Sequence, residues 1–257
     1  MRRAYPLPRG FRFAGRLAAL WLVTAVPSAM QAQPRGGRGY LFDAPAGALT
    51  LRVGASQPQA ASALFDFVAR QLTLERGDYA GAAFAADLTV AHSARIETVL
   101  SVGVASRRAG SEYRDFVDTD DQPIEQRTAF RRVPMTAGLR LNLLPSGRQV
   151  SRLAWVPATV VPYVAAGGGI TFYRFHQEGD FIDFKTNDVF PMTLSSSGWA
   201  PSLFGAAGLG WRLRPGVSLV SEVRYDRSRA PLGRDFDGFD RIDLSAIGLT
   251  AGFQFHF

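Results

Sequence analysis

Three histidines, one run of serines and two aspartate-rich stretches are where any chemistry in this chain would have to reside. Acyl transfer or hydrolysis needs a nucleophile, a base within hydrogen-bond reach of it and a group that orients the base. His92 stands beside Ser93, and His256 is the penultimate residue. His176 alone has both a nearby carboxylate, Glu178, and hydroxyls further along one polar stretch, at Ser195, Ser196 and Ser197. These residues do not spell out a triad, so no catalytic residue is assigned and the chain is read as a non-enzyme. Asp235, Asp237 and Asp240, with Gly238 as the turn residue, have the spacing that opens a calcium loop. The bidentate glutamate such a loop requires is missing downstream, where Arg241-Ile242-Asp243 stands instead. Asp118, Asp120 and Asp121 form a second acidic tip. Both stretches are read as solvated carboxylates, with weak binding of a divalent ion as the alternative. No metal site and no cofactor is assigned. The absence of cysteine excludes disulfides, thiol chemistry and a lipid-anchored cysteine.

The N-terminus sets the compartment. Arg2, Arg3, Arg9, Arg12 and Arg16 precede an apolar run from Leu17 to Val26, followed by small residues up to Ala32. That is the layout of a cleaved secretory signal peptide over residues 1–32, and the apolar run is too short to span a bilayer. The net charge of +7 falls once those five arginines are removed, leaving 24 basic residues against 22 acidic ones. A charge-based argument for nucleic acid therefore fails, and no nucleic-acid partner is assigned.

Beyond residue 46 the apolar residues recur with period two, as in a strand whose side chains alternate between faces. Eight such segments are legible: Leu49–Ser56, Ala82–Ala91, Arg95–Arg107, Gln126–Leu143, Val160–Phe175, Ser202–Leu213, Val217–Asp226 and the C-terminal stretch. The fourth is the clearest, setting Val133, Met135, Ala137, Leu139 and Leu141 against Arg132, Thr136, Gly138, Arg140 and Asn142. Gly167-Gly168-Gly169 blurs the alternation of the fifth. Connectors alternate between tight (His92-Ser93-Ala94, Arg214-Pro215-Gly216) and long and polar (57–80, 108–125, 176–201, 227–241). Pro145–Thr159 breaks that alternation.

The last residues, Leu249-Thr-Ala-Gly-Phe253-Gln-Phe255-His-Phe257, place three phenylalanines on one strand face. On this signature, on the loop alternation and on Val161-Pro-Tyr-Val-Ala-Ala-Gly-Gly-Gly169, the chain resembles the small bacterial outer-membrane β-barrels of the OmpW-like, opacity-type and OmpA-like kind. The resemblance covers roughly residues 47–257. It implies an all-β fold: an eight-stranded antiparallel transmembrane up-and-down β-barrel over residues 47–257, preceded by a short periplasmic segment, 33–46. Both termini would face the periplasm. Phe253, Phe255 and Phe257 would be the assembly signal read by the barrel-assembly machinery. The other implied partners are outer-membrane lipid and lipopolysaccharide, around a monomer.

In such a barrel the polar faces point into the lumen, since a midplane arginine facing lipid costs roughly 2–4 kcal/mol. The expected lumen network is Arg52, Asp87, Arg95, Glu97, Arg107, Arg132, Arg140, Arg212, Glu222, Arg224 and Asp226. Eight strands leave an interior about wide enough for side chains to fill, so this set is read as a plug of arginine–carboxylate pairs. Trp155, Trp199, Trp211, Tyr163, Tyr173 and Tyr225 are expected in interface girdles. Residues 63–74 are unusually apolar for a loop and are read as the top of an extended hairpin; the alternative, which the OmpW resemblance implies, is a hydrophobic lip for small apolar molecules or lipid. Function is expected to be a structural or surface-interaction role through the long extracellular loops. The alternative is a narrow channel for small hydrophobic or anionic solutes. A lipid-modifying enzyme built on His176 is the third reading. A soluble carrier barrel would instead place its apolar residues inside.

Overall fold

In a computed structural model of the chain, the described residues are 40–117, 121–183 and 188–257. The expected signal peptide, and Asp118 and Asp120 of the second acidic tip, lie outside them. The elements, in chain order, begin with β1 (Gly47–Pro58), α1 (Ala63–Gln71), a 3-10 turn (Arg76–Tyr79), β2 (Gly81–Ala91), β3 (Ile96–Val117) and β4 (Pro123–Asn142). A short pair, β5 (Gly147–Ser151) and β6 (Ala154–Pro157), precedes β7 (Val160–Ile182), β8 (Val189–Arg214) and β9 (Val217–Pro231). A second 3-10 turn (Arg234–Phe236), β10 (Arg241–Asp243) and β11 (Ala246–His256) end the chain.

Eight of these strands close a ring in the order β1-β2-β3-β4-β7-β8-β9-β11 and back to β1, each antiparallel to its neighbours. The closing seam runs in unbroken register from Ala48↔His256 to Pro58↔Ala246. Reciprocal backbone bonds between Gly47 and Phe257 (3.0 and 3.1 Å) finish it. Tight backbone approach requires glycine at this seam: a Cβ on Gly252 would sit 1.8 Å from the Leu51 carbonyl oxygen.

The polarity of the ring is the reverse of a water-soluble protein's. Outward positions carry Leu51, Phe84, Leu139, Leu203 and Leu249, each at least half exposed. Inward positions on the same strands carry Thr50, Arg52, Asp87, Arg140 and Thr250, which are buried. Exposing such a continuous apolar surface to water is untenable for a monomer, whereas hydrocarbon accepts it. This is a transmembrane β-barrel. Among the described residues no helix is long and apolar enough to cross a membrane, so the crossing is made by strands.

A bilayer needs only about 9–11 residues of tilted strand. β3, β4, β7 and β8 have 22, 20, 23 and 26 residues and rise well beyond the apolar belt as two tall hairpins joined edge to edge. The stretches 108–125 and 176–201, expected as loops, are therefore mostly strand. Their alternation persists but its polarity inverts. Tyr113, Ile124, Phe130, Tyr173, Phe175 and Ile182 point inward, while Arg108, Arg127, Arg131, Arg174 and Glu178 point outward. The inversion marks where lipid gives way to water.

Loop one does not extend the β1–β2 hairpin. It folds inward as α1, burying Leu64, Phe65 and Val68 within the upper barrel. There they join Tyr79, Phe130, Phe175, Phe236 and Ile242 in an apolar core. Phe65 makes edge-to-face contacts with Tyr79, Phe130 and Phe175 at 4.9–5.8 Å between centroids. The stretch 145–159, anomalous as a tight turn, folds as the β5–β6 hairpin. It is tied to the N-terminal segment by reciprocal backbone bonds between Leu41 and Trp155. Trp155 is buried in that hairpin, and Tyr163 and Tyr173 are buried inside the barrel, so these three are not girdle residues. Trp199, Trp211 and Tyr225 do face outward.

Candidate functional site

The side chains that converge inside the belt come from alternate positions of β1, β2, β3, β4, β7, β9 and β11. Arg52 is their centre. Its Nε and Nη2 donate to the two Asp87 carboxylate oxygens at 2.9 and 3.0 Å, a bidentate pair. Nη1 donates to Glu222 Oε1 at 2.6 Å and to Thr250 Oγ1 at 2.8 Å. The carboxylates are held in turn: Ser101 Oγ donates to Asp87 at 2.6 Å and Tyr163 Oη to Glu222 at 2.8 Å. Arg52, Asp87 and Glu222 are each less than 5% exposed. Tyr163 reaches Glu222 because position 208, against its ring, is glycine; a Cβ there would come within 2.3 Å of the ring.

Further groups flank this centre. The Arg140 guanidinium stacks 4.2 Å from the Tyr163 ring centroid and donates to Glu97 at 3.5 Å, while Asn142 donates to the other Glu97 oxygen at 2.9 Å. Arg224 forms a fork with Asp226 (3.0 and 3.2 Å from Nε), donates to Thr136 and lies 3.9 Å over Phe204. Among the described residues Arg132 is bonded to no carboxylate; it donates to the Leu244 carbonyl at 2.9 Å and Ser56 Oγ at 2.7 Å. Arg212, nearest the lower mouth, donates to the Pro215 carbonyl at 3.2 Å. A cavity of about 30 Å3 lies near Arg140 and one of about 60 Å3 near Arg52 and Arg132, and a larger one of about 310 Å3 opens beside Glu97 and Arg212.

Two residues expected in this network lie outside it. Arg95 is exposed in the turn before β3, because that strand begins one residue later. Arg107 has inward parity, yet it sits above the belt at the rim, exposed, and donates to the Asp78 carbonyl of the 3-10 turn at 3.0 Å. One residue was missed: Asp243, only 1% exposed, accepts from the backbone of Ser245 and Ala61. The apparent arginine surplus of seven over four thus becomes five guanidiniums against five carboxylates among the described residues. Asp243 left little trace in the sequence because it follows the irregular 227–241 stretch, where period two is lost.

The chemistry-bearing residues do not assemble. His176 Nε2 meets Glu178 at 3.4 Å and its Nδ1 has no partner among the described residues. Ser195 lies across from it in the β7–β8 ladder, while Ser196 is buried and shared by Tyr173 Oη and the Gly233 amide. His92 is bonded to Thr98 and His256 to Ser218. Asp235 accepts from the Ser195 amide at 2.9 Å and Asp237 from Gly238 at 3.2 Å, while Asp240 is exposed. Asp235 and Asp237 are thus engaged by backbone amides, and Asp240 is solvated. Among the described residues no three His, Asp or Glu side chains converge on a metal position.

A closed ring with an apolar exterior and a charge-filled interior defines a small transmembrane β-barrel. No protein-family model and no curated protein matches the chain. Among solved structures it is similar to Neisserial surface protein A, at 12% identity over 82% of this chain and 96% of that one, with a TM-score of 0.44. It is also similar to Ail, the attachment invasion locus protein of Yersinia pestis (17% identity, 81% and 99% coverage, TM-score 0.38). The outer membrane protein AlkL gives 18% identity, 87% and 94% coverage and a TM-score of 0.35.

Arg52→Leu removes one partner from two buried carboxylates and is expected to destabilise the barrel by about 3–5 kcal/mol. Arg95→Gln, at an exposed turn, is expected to stay within about 0.5 kcal/mol of the parent. Urea unfolding in lipid vesicles, followed by tryptophan fluorescence, checks both; equal midpoints would show that the Arg52 cluster is solvated.

Proposed function

We propose that the protein is a non-conducting outer-membrane barrel whose tall extracellular wall serves surface interaction, with both termini in the periplasm. One observation carries this reading: the interior is occupied at two successive levels. At belt height the Arg52–Asp87–Glu222 cluster spans from β1 to β2 and β9. Above it, α1 and its aromatic partners occupy the upper barrel. The orientation is supported by the ends of the strands. The turns 92–95 and 215–216 and the compact β5–β6 hairpin lie at one end, and the tall hairpins at the other.

The narrow-channel reading has one observation in its favour. Pro134 lies within β4, whose ladder with β3 skips from Val102↔Met135 to Ala105↔Arg132. The cavity of about 60 Å3 at this gap touches Phe84 and Pro134 as well as Arg52 and Arg132. A lateral passage for a small apolar solute would begin there.

The C-terminal phenylalanines support a role in assembly. Phe253 and Phe255 face outward, and Phe257 closes the seam against Gly47. Deleting Phe257 is expected to lower membrane insertion in cells while leaving export intact; normal insertion would remove that role. For the barrel itself, the refolded chain in planar bilayers is expected to be electrically silent while its gel mobility changes on heating. Discrete anion-selective openings would replace the plugged reading with a channel.

A further inference from the structure

The outer face of the wall, just above the lipid belt, carries a basic depression that neither the ring nor the plug requires. On β4 and β7 the last apolar outward positions are Val133 and Phe172, paired with each other. One outward step higher, about 7 Å along the strands, Arg131 stands directly opposite Arg174. One further step brings Arg108 opposite Ala129, and Ala129 opposite His176. A third places Gly110 opposite Arg127, and Arg127 opposite Glu178. Small residues thus form the floor, and Arg108, Arg127, Arg131 and Arg174 the rim, of an open cavity of about 630 Å3.

Like charges directly opposite each other across a ladder, with Cβ atoms about 5 Å apart, are destabilising without an anion between them. No ion pair is formed by any of these four arginines among the described residues, and the one carboxylate that lines the depression, Glu178, lies opposite Arg127 and meets His176 at 3.4 Å. Above the depression the outward positions turn acidic, with Glu112 opposite Glu125. On β4 and β7 the facing arginines Arg131 and Arg174 therefore lie directly above the last apolar pair, at the height where lipid headgroups meet the belt. Guanidinium forks match phosphate oxygens bidentately, and a site beside hydrocarbon is screened less than open surface.

We infer that this depression binds the phosphate of a phosphorylated glycolipid of the surrounding leaflet, with Arg131 and Arg174 as the central pair. The inference rests on the outer-membrane, extracellular-wall reading and names the partner at the base of that wall. Its chemistry is that of a phosphate monoester carried by acyl chains that lie along Val133, Phe172 and Trp199.

The test follows the heat-modifiable transition of the refolded chain in detergent micelles titrated with diphosphoryl lipid A. Lipid A stripped of its phosphates and inorganic phosphate serve as comparisons. The transition should rise with the diphosphoryl lipid alone. The double variant Arg131→Gln/Arg174→Gln should have a basal transition at or above the parent's yet need about tenfold more lipid, the equivalent of one lost charge-assisted contact. Should the double variant not fold, Arg108→Gln at the rim should show a smaller shift in the same direction. A variant that responds like the parent, or a dephosphorylated lipid that works equally well, overturns the site. So does an equal response to inorganic phosphate, which would make the ligand a free anion. A chain with the mobility change and a silent lumen that ignores the lipid loses only this site; loss of the mobility change removes the barrel reading itself.

Discussion

Hydrocarbon accepts neither an unpaired backbone amide nor a bare charge, and this exclusion dictates the rest of the structure. An open sheet would leave two edges of N–H and C=O groups, each costing several kcal/mol in lipid. The chain answers with the β1–β11 seam, in register over its whole length and ended by the Gly47–Phe257 pair. Once the ring is closed, every strand residue must face either lipid or lumen, and each charged side chain at belt height is confined to the lumen. Arg52 can be there because two carboxylates and a threonine hydroxyl receive it, and because Ser101 and Tyr163 orient those carboxylates.

The same exclusion explains why the interior has two levels. At belt height the outside is apolar and the inside polar. Above it the outside meets water, and the longer strands turn their apolar face inward. A barrel segment with apolar inner walls needs an apolar filling, which α1 supplies with Leu64, Phe65 and Val68. Loop one, the stretch most apolar for its place, is thus explained by the inversion of the walls around it. Packed aromatics thus support the wall from within.

The ring and its eight strands were legible because period two survives wherever one face is buried and the other is in lipid. The central network was legible for the same reason: Arg52, Asp87, Glu97, Arg132, Arg140, Arg212, Glu222, Arg224 and Asp226 all have inward parity within the belt. Arg107 shares that parity but lies past the level where the walls invert, a height that alternation alone does not encode. The tall hairpins looked like loops because their outward positions are polar and the inversion imitates the end of a strand. Tyr163, Tyr173 and Trp155 resembled girdle residues by type; their burial depends on glycine at 208, on the upper core and on the β5–β6 hairpin. The basic depression is invisible in the sequence because its arginines come from three strands whose mutual register alternation does not encode, and because Arg108 falls in a stretch that reads as loop.

The claim on which everything else rests is that the outward apolar face lies in lipid and that the belt ends below the arginine band. The chain contains no cysteine, so single-cysteine spin labels can be placed cleanly. Labels at Leu139→Cys and Leu249→Cys, on outward belt positions, would be compared in vesicles with one at Ser195→Cys on the outward upper wall. The account predicts that collisions with dissolved oxygen dominate at 139 and 249, while a water-soluble nickel reagent dominates at 195. Nickel access at 139 and 249 equal to that at 195 would contradict it.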